Sequence, residues 1–397
     1  MKIHQLLLAL SVMLLLSLTV VFSMTSQGCA YGQTKGTRIE QTDEAFSLQV
    51  IDNSDTLGLV IDVDRSGNVI GSREEPDEKG YVFSTVYFYD DGTEVIDLKL
   101  LKGYTSCVIE ALSDTKMAVG YATRRLGHPE GSLTGMLWDI QEDKLVKLEA
   151  AEGDSGCQAQ GISADGSTIV GYTTGANPPK LRPCVWQDVE GEWVCTPLPT
   201  PELNNPYVMS SSVVISPDGK KIAACPTEKF LSNGVVDSSL YLWEKQTDGS
   251  WERRQLSTQQ AYLSAMNNKG TIVGSISATL GKKSPVSFDL QGKMTQIDML
   301  EGTVSGYAYD VSSDGIVVGV CNDPAGPEGG PHAFVWKEGK TTPLPMPKET
   351  VYSYANAIND AGQIVGFADI TFSDRKDEES GEPLVKTLGF LWKSNPK

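Results

Sequence analysis

Seven times along the chain a short apolar segment ends in a tight polar turn and is followed by a run such as IVG or VVG. A variable stretch, an aromatic strand end and a last polar turn complete each copy. The copies open with DVDRSGNVIG, ALSDTKMAVG, GISADGSTIVG, VISPDGKKIAA, AMNNKGTIVG, DVSSDGIVVG and AINDAGQIVG. Their aromatic ends are Phe88, Trp138, Trp186, Trp243, Phe288, Trp336 and Trp392. Turn glycines stand at Gly67, Gly166, Gly219, Gly270, Gly315 and Gly362, with Thr115 in the slot of the second copy, so the period is 45 to 53 residues. A period of that size with about four short strands per copy predicts an all-β chain: a single seven-bladed β-propeller of four-stranded antiparallel blades. The 397 residues, which by length alone suggest two or three domains, are then one ring.

The residue chemistry supports the pattern. Runs of β-branched and aromatic residues favour strands, and the glycine between the first two strands suits a turn that needs positive φ. A blade alone would expose both faces of a small twisted sheet, so neighbours must stack, and the aromatic ends are expected between them as core. The seventh copy stops shortly after Trp392, without a fourth strand, while AFSLQVID (45–52) precedes the first copy with no partner. That segment is expected to complete the last blade and remove an open sheet edge. The propeller is therefore assigned to 45–397.

The N-terminus reads as an export signal over 1–28: Lys2, an apolar run from Leu6 to Phe22, then SMTSQGCA. Cleavage before Cys29 suits an ordinary signal peptidase or, with Gly28 before the cysteine, lipidation of Cys29. Residues 29–44 are expected to form a polar tether. The location implied is extracytoplasmic (secreted, periplasmic or lipid-anchored at the envelope), with no membrane contact beyond that lipid. A net charge of −18 repels phosphate backbones and argues against nucleic acid.

Six cysteines remain after Cys29, an even number. In CVWQDVEGEWVC a hairpin centred on Val189 and Glu190 sets Cys184 opposite Cys195 and Trp186 opposite Trp193, so a cross-strand disulfide between Cys184 and Cys195 is one expectation and two buried thiols the other.

The stretches GYAYDVSSDGIVVG with PHAFVWKEG, and YANAINDAGQIVG with LGFLWK, resemble the HAF repeat of exported bacterial proteins, named for the triplet present here as His332-Ala333-Phe334. The resemblance spans roughly 57–397, close in the last two copies and loose in the first four. It implies an extracytoplasmic β-propeller and carries no catalytic residues with it.

Motifs of chemistry are sparse. His128 and His332 stand in different copies without His or Cys at ligand spacing, which gives no metal site, and no cofactor is implied. No G-x-S-x-G elbow and no phosphate-binding glycine loop is present. Asp62-Val63-Asp64-Arg65-Ser66-Gly67 begins like a calcium loop, but Arg73 stands at the closing position, so a blade turn is the expectation. Function is sought on the variable insertions at 72–84, 122–134, 172–182, 225–239, 320–331 and 367–387, where FSDRKDEESGEP (372–383) in the last is too polar to pack. Within them Arg124, Arg125 and His128 are suited to a carboxylate or sulfate. Tyr262, Tyr307 and Tyr354 begin three successive innermost strands on one phase, near the mouth of the central channel, and suit sugar stacking or a peptide. Two functions follow. One is a non-catalytic, monomeric binding or scaffold propeller for a glycan or an envelope or extracellular protein. The other is a polysaccharide- or peptide-acting enzyme with its site at the channel mouth.

Overall fold

The computed structural model describes residues 41–42, 46–52, 57–76, 82–90, 94–97, 104, 106–123, 133–176, 179–200, 210–230, 236–279, 282–323, 330–376, 381 and 383–394. Among them there is no helix. The strands form seven antiparallel sheets, one per repeat. First strands of successive blades, from Leu57–Val63 through Thr350–Ile358, touch one another around a full circle and so line a channel. The molecule is the seven-bladed propeller that the repeat predicts.

Seven separate apolar clusters occupy the seven gaps between adjacent blades. The aromatic strand ends fill them. Trp186, Trp243 and Trp392 are fully buried, and their indole N–H groups donate to the carbonyls of Glu149, Pro199 and Pro345 at the outer edge of the preceding blade, at 2.8, 2.8 and 2.9 Å. Trp336 is only partly buried, unlike the other six.

Closure follows the expected route. Phe46–Asp52 pairs antiparallel with Pro383–Ser394, placing Leu48 opposite Trp392 in the last blade. Gln41–Thr42, within the 29–44 expected as a tether, forms a two-residue strand paired with Leu48 and Ser47; residues 29–40 and 43–44 lie outside the described residues.

The first turn of each blade explains the repeated Ser, Asn or Asp. Its side chain accepts the backbone N–H four or five residues on, as Ser312 Oγ does from Ile316 at 3.2 Å and Asn359 Oδ1 from Gln363 at 3.0 Å. Asp64 Oδ1 accepts the backbone N–H of Asn68 in the same way and Oδ2 accepts from the Asn68 side-chain Nδ2, so the calcium-like string is a blade turn. In the second copy the left-handed slot belongs to Lys116 (φ 58°), not Thr115. The glycine of the following run serves close approach instead: a Cβ on Gly319 would collide with the Tyr307 carbonyl.

These turns also tie the ring. Each bonds to the next: Arg65 N to Asp114 Oδ1 (2.8 Å), Asp114 N to the Ala164 carbonyl (3.0 Å) and Ala164 N to the Pro217 carbonyl (2.8 Å). The circuit continues with Asp218 N to Asn268 Oδ1 (2.8 Å), Asn267 Nδ2 to the Ser312 carbonyl (2.9 Å) and Ser313 N to Asp360 Oδ1 (2.8 Å). Asn359 Nδ2 to the Asp64 carbonyl (2.9 Å) returns it to the first blade.

Two readings of the sequence are corrected. The hairpin of the third blade turns at Glu190-Gly191 (φ 57° and 90°), one residue later than expected, because a two-residue turn of this kind needs both central residues left-handed and Val189 resists that conformation. Cys184 therefore pairs with Pro197 and Cys195 with Trp186. The cysteines are diagonal neighbours and free thiols. Several insertions expected as loops are instead hairpin extensions of the second and third strands: pairing continues to Pro76↔Val82, Ala176↔Pro179 and, in the last blade, Lys376↔Pro383.

Candidate functional site

Every first strand carries a register irregularity before its end, and this bulge sorts the channel wall into levels. Nearest the hairpin side, Tyr262, Tyr307 and Tyr354 stand four residues before the strand ends Met266, Val311 and Ile358. Leu59, Val108 and Gln158 hold the corresponding positions in the first three blades. The three tyrosines are neighbours as well as in phase: Tyr307, on the middle blade, is within electrostatic reach of both Tyr262 and Tyr354.

Each ring is braced. Tyr307 stacks on Tyr309, with centroids 6.1 Å apart and planes at 14°, and Tyr354 on Phe367 at 4.6 Å and 16°. Tyr262, 40% exposed, carries the Lys283 ammonium 3.9 Å from its ring centre. Burial raises the hydroxyl pKa of Tyr307, and burial followed by nearby Asp369 pushes Tyr354 up to about 12. Both stay neutral donors at physiological pH. Fixed ring faces with hydroxyls at a channel mouth can stack on a sugar or an apolar stem and donate hydrogen bonds to it.

Deeper in the channel lie carboxylates. Burial, then Asp310, pushes Asp62 up to about 7, and burial pushes Asp310 up to about 6. Neither is at leisure for chemistry. Asp62 accepts from Val63 N and, in the next blade, Leu112 N, both at 2.7 Å; Asp310 accepts from Val311 N and, in the next blade, Ile358 N, at 2.7 and 2.8 Å. They stitch blades together. Glu110, pushed up to about 7 by burial, has no such bond.

The opposite mouth is the turn side. Aliphatic strand ends including Val63, Leu112, Ile162, Met266, Val311 and Ile358 form a collar there, each at most 8% exposed. The opening in front of it holds about 150 Å³ and is rimmed by the turn residues. Its carboxylates Asp114 and Asp360 are taken up by backbone N–H groups and by Arg65 at 3.6 and 3.9 Å. Among the described residues no three His, Cys, Asp or Glu side chains converge to hold a metal ion.

Of the residues singled out in sequence, then, Tyr262, Tyr307 and Tyr354 come together. Arg124, Arg125, His128 and Cys29 lie outside the described residues. Tyr309, Tyr121, Tyr172, Phe367 and Glu110 were missed. The pairs Gly120-Tyr121, Gly171-Tyr172 and Gly366-Phe367 carried a signal, an aromatic following the close-approach glycine of the second strand.

Solved structures with this architecture are similar to the chain only distantly. The β-propeller domain of the Trilobed protease from Pyrococcus furiosus, described as having an open velcro topology, matches with a TM-score of 0.53 at 11% identity, over 84% of this chain and 95% of that one. Oligogalacturonate lyase from Vibrio parahaemolyticus gives 0.53 at 11% identity over 90% and 97%. Prolyl oligopeptidase B from Galerina marginata gives 0.56 at 10% identity, over 86% of this chain but 51% of that one. At such identities the likeness is one of fold. No protein-family model matches the chain, and no curated protein matches it by sequence.

Proposed function

We propose that the chain is an exported, non-catalytic binding propeller whose ligand, a glycan or an extracellular protein segment, docks at the tyrosine mouth. The observation that carries this reading is the braced cluster of Tyr262, Tyr307 and Tyr354 from three consecutive blades, on the side where the hairpins extend. The apolar leader and the HAF-like repeats support an extracytoplasmic protein, with Cys29 as the residue a lipid would modify. The carboxylates Asp62 and Asp310, bound to two amides each, speak against an acid–base pair in the channel.

Purified protein lacking residues 1–28 is screened for retention on a glycan array and on immobilised envelope proteins. The variant with Tyr262, Tyr307 and Tyr354 all changed to Ala should lose at least tenfold in retention, about 0.5 kcal/mol or more per ring, while still folding to the same β-sheet signature. Full retention by the folded variant would remove the site.

A second reading, an enzyme acting on polysaccharide or peptide at the same mouth, is favoured by one contact. Lys283 Nζ donates to Ser277 Oγ at 2.9 Å beside Tyr262, and burial lowers the Lys283 pKa, the arrangement of a serine nucleophile with a lysine base. Turnover of any retained ligand, abolished by Ser277→Ala, would establish it in place of the first; retention without turnover leaves the binding module.

A further inference from the structure

Glu110 stands at the bulge of the second blade's first strand, between Ile109 and Ala111. In other blades the polar side chain at or beside this bulge reaches across to the next blade. Gln160 Oε1 accepts from Val213 N at 3.0 Å, Ser212 Oγ from Leu263 N at 2.9 Å, and Asn356 Nδ2 donates to the Val60 carbonyl at 2.6 Å. Among the described residues no hydrogen bond or ion pair engages the Glu110 carboxylate. Protein largely encloses it, and part of the side chain remains exposed. Buried Tyr121 and Tyr172 lie within its electrostatic reach.

An enclosed carboxylate without a partner is costly when ionised, and a cation offered to it removes the cost. The mouth above already accepts such a cation, since the Lys283 ammonium rests on Tyr262. Val108 stands at the level of the three tyrosines and Glu110 two residues deeper on the same strand, about 6.6 Å. That is the reach of the four-carbon stem of a lysine side chain.

We propose that Glu110 is the specificity-determining contact for a ligand carrying a protonated amine on a slender aliphatic stem, which passes the tyrosine mouth and pairs its ammonium with this carboxylate. The assignment rests on the tyrosine-mouth reading and deepens it. A lysine side chain of a peptide and a free alkyl diamine share this chemistry.

Titrations of the protein lacking residues 1–28, followed by saturation-transfer NMR at pH 8, use pentylamine and its neutral counterpart pentanol. Acetyl-lysinamide and cadaverine serve as further arms to separate a protein lysine from a free diamine. Pentylamine should bind at least tenfold more tightly than pentanol. Glu110→Gln should reduce it to the pentanol level, leaving pentanol binding unchanged and the melting temperature at pH 8 the same or higher, since the cost of the enclosed charge is removed, and Glu110→Asp should restore part of the preference. Equal binding of the two probes to the native protein, or an amine preference that survives Glu110→Gln, overturns the role of Glu110. Pentanol binding without amine preference would overturn that role alone, whereas undiminished binding of both probes after Tyr307→Ala and Tyr354→Ala would overturn the mouth itself.

Discussion

Asp62 and Asp310 show how one residue type serves construction and leaves a thermodynamic trace. Each holds two backbone amides, yet burial outweighs those bonds and raises both carboxyls, to about 7 and about 6. Between pH 4 and 7 the folded protein therefore keeps protons that the unfolded chain has released, so stability falls as pH rises through that window. Thermal melts should give a higher Tm at pH 5.5 than at pH 8, and replacing both residues by Asn should flatten most of the difference. The variant comparison separates this effect from the general relief of a −18 charge on acidification. A Tm that climbs steadily from pH 5 to pH 8 would contradict it. In sequence the two aspartates are ordinary members of a DV pair; their role becomes visible only when the bulge brings them against the amides of the next blade. Glu110 is hidden for the same reason, since nothing in CVIEAL distinguishes a channel carboxylate from a solvated one.

At the scale of elements, the pattern was legible where local chemistry determines it. The β-branched runs, the positive-φ glycines and the unpaired segment before the first repeat were enough to count the blades and close the ring. Removing 46–52 should expose the edge of the last blade and take away Leu48, which is 2% exposed and sits opposite Trp392. On the order of 10 °C of Tm should be lost, the scale of several kcal/mol for a domain of this size; an unchanged melting curve would contradict the closure. Registers and insertions were less legible. The third-blade hairpin was misplaced by one residue because Glu190, not a glycine, takes the first left-handed position of its turn. The composition of FSDRKDEESGEP (372–383) predicts a segment too polar to pack, but polar residues continue a ladder whose bonds are backbone to backbone, and the pairing runs out to Lys376.

At the scale of the whole molecule, the ring has two unlike mouths. One is narrowed by an aliphatic collar behind a complete circuit of turn-to-turn hydrogen bonds, its carboxylates already engaged. The other offers aromatic faces and neutral hydroxyls beneath extended hairpins, with an unengaged carboxylate farther in. A rigid ring that places recognition groups at one end suits a ligand that enters partway and does not pass through. The tyrosine phase was readable in sequence because it repeats at a fixed distance from each turn; its bracing by Tyr309 and Phe367 was not, because that depends on the pairing of strands. Hydroxyl-radical footprinting of the native protein, with and without the ligand retained in the array screen, tests the central claim most directly. Protection confined to Tyr262, Tyr307, Tyr354 and their neighbours is the predicted result. Protection of the turn-side residues Met266 and Ile358, with the three tyrosines labelled as in the free protein, would contradict it.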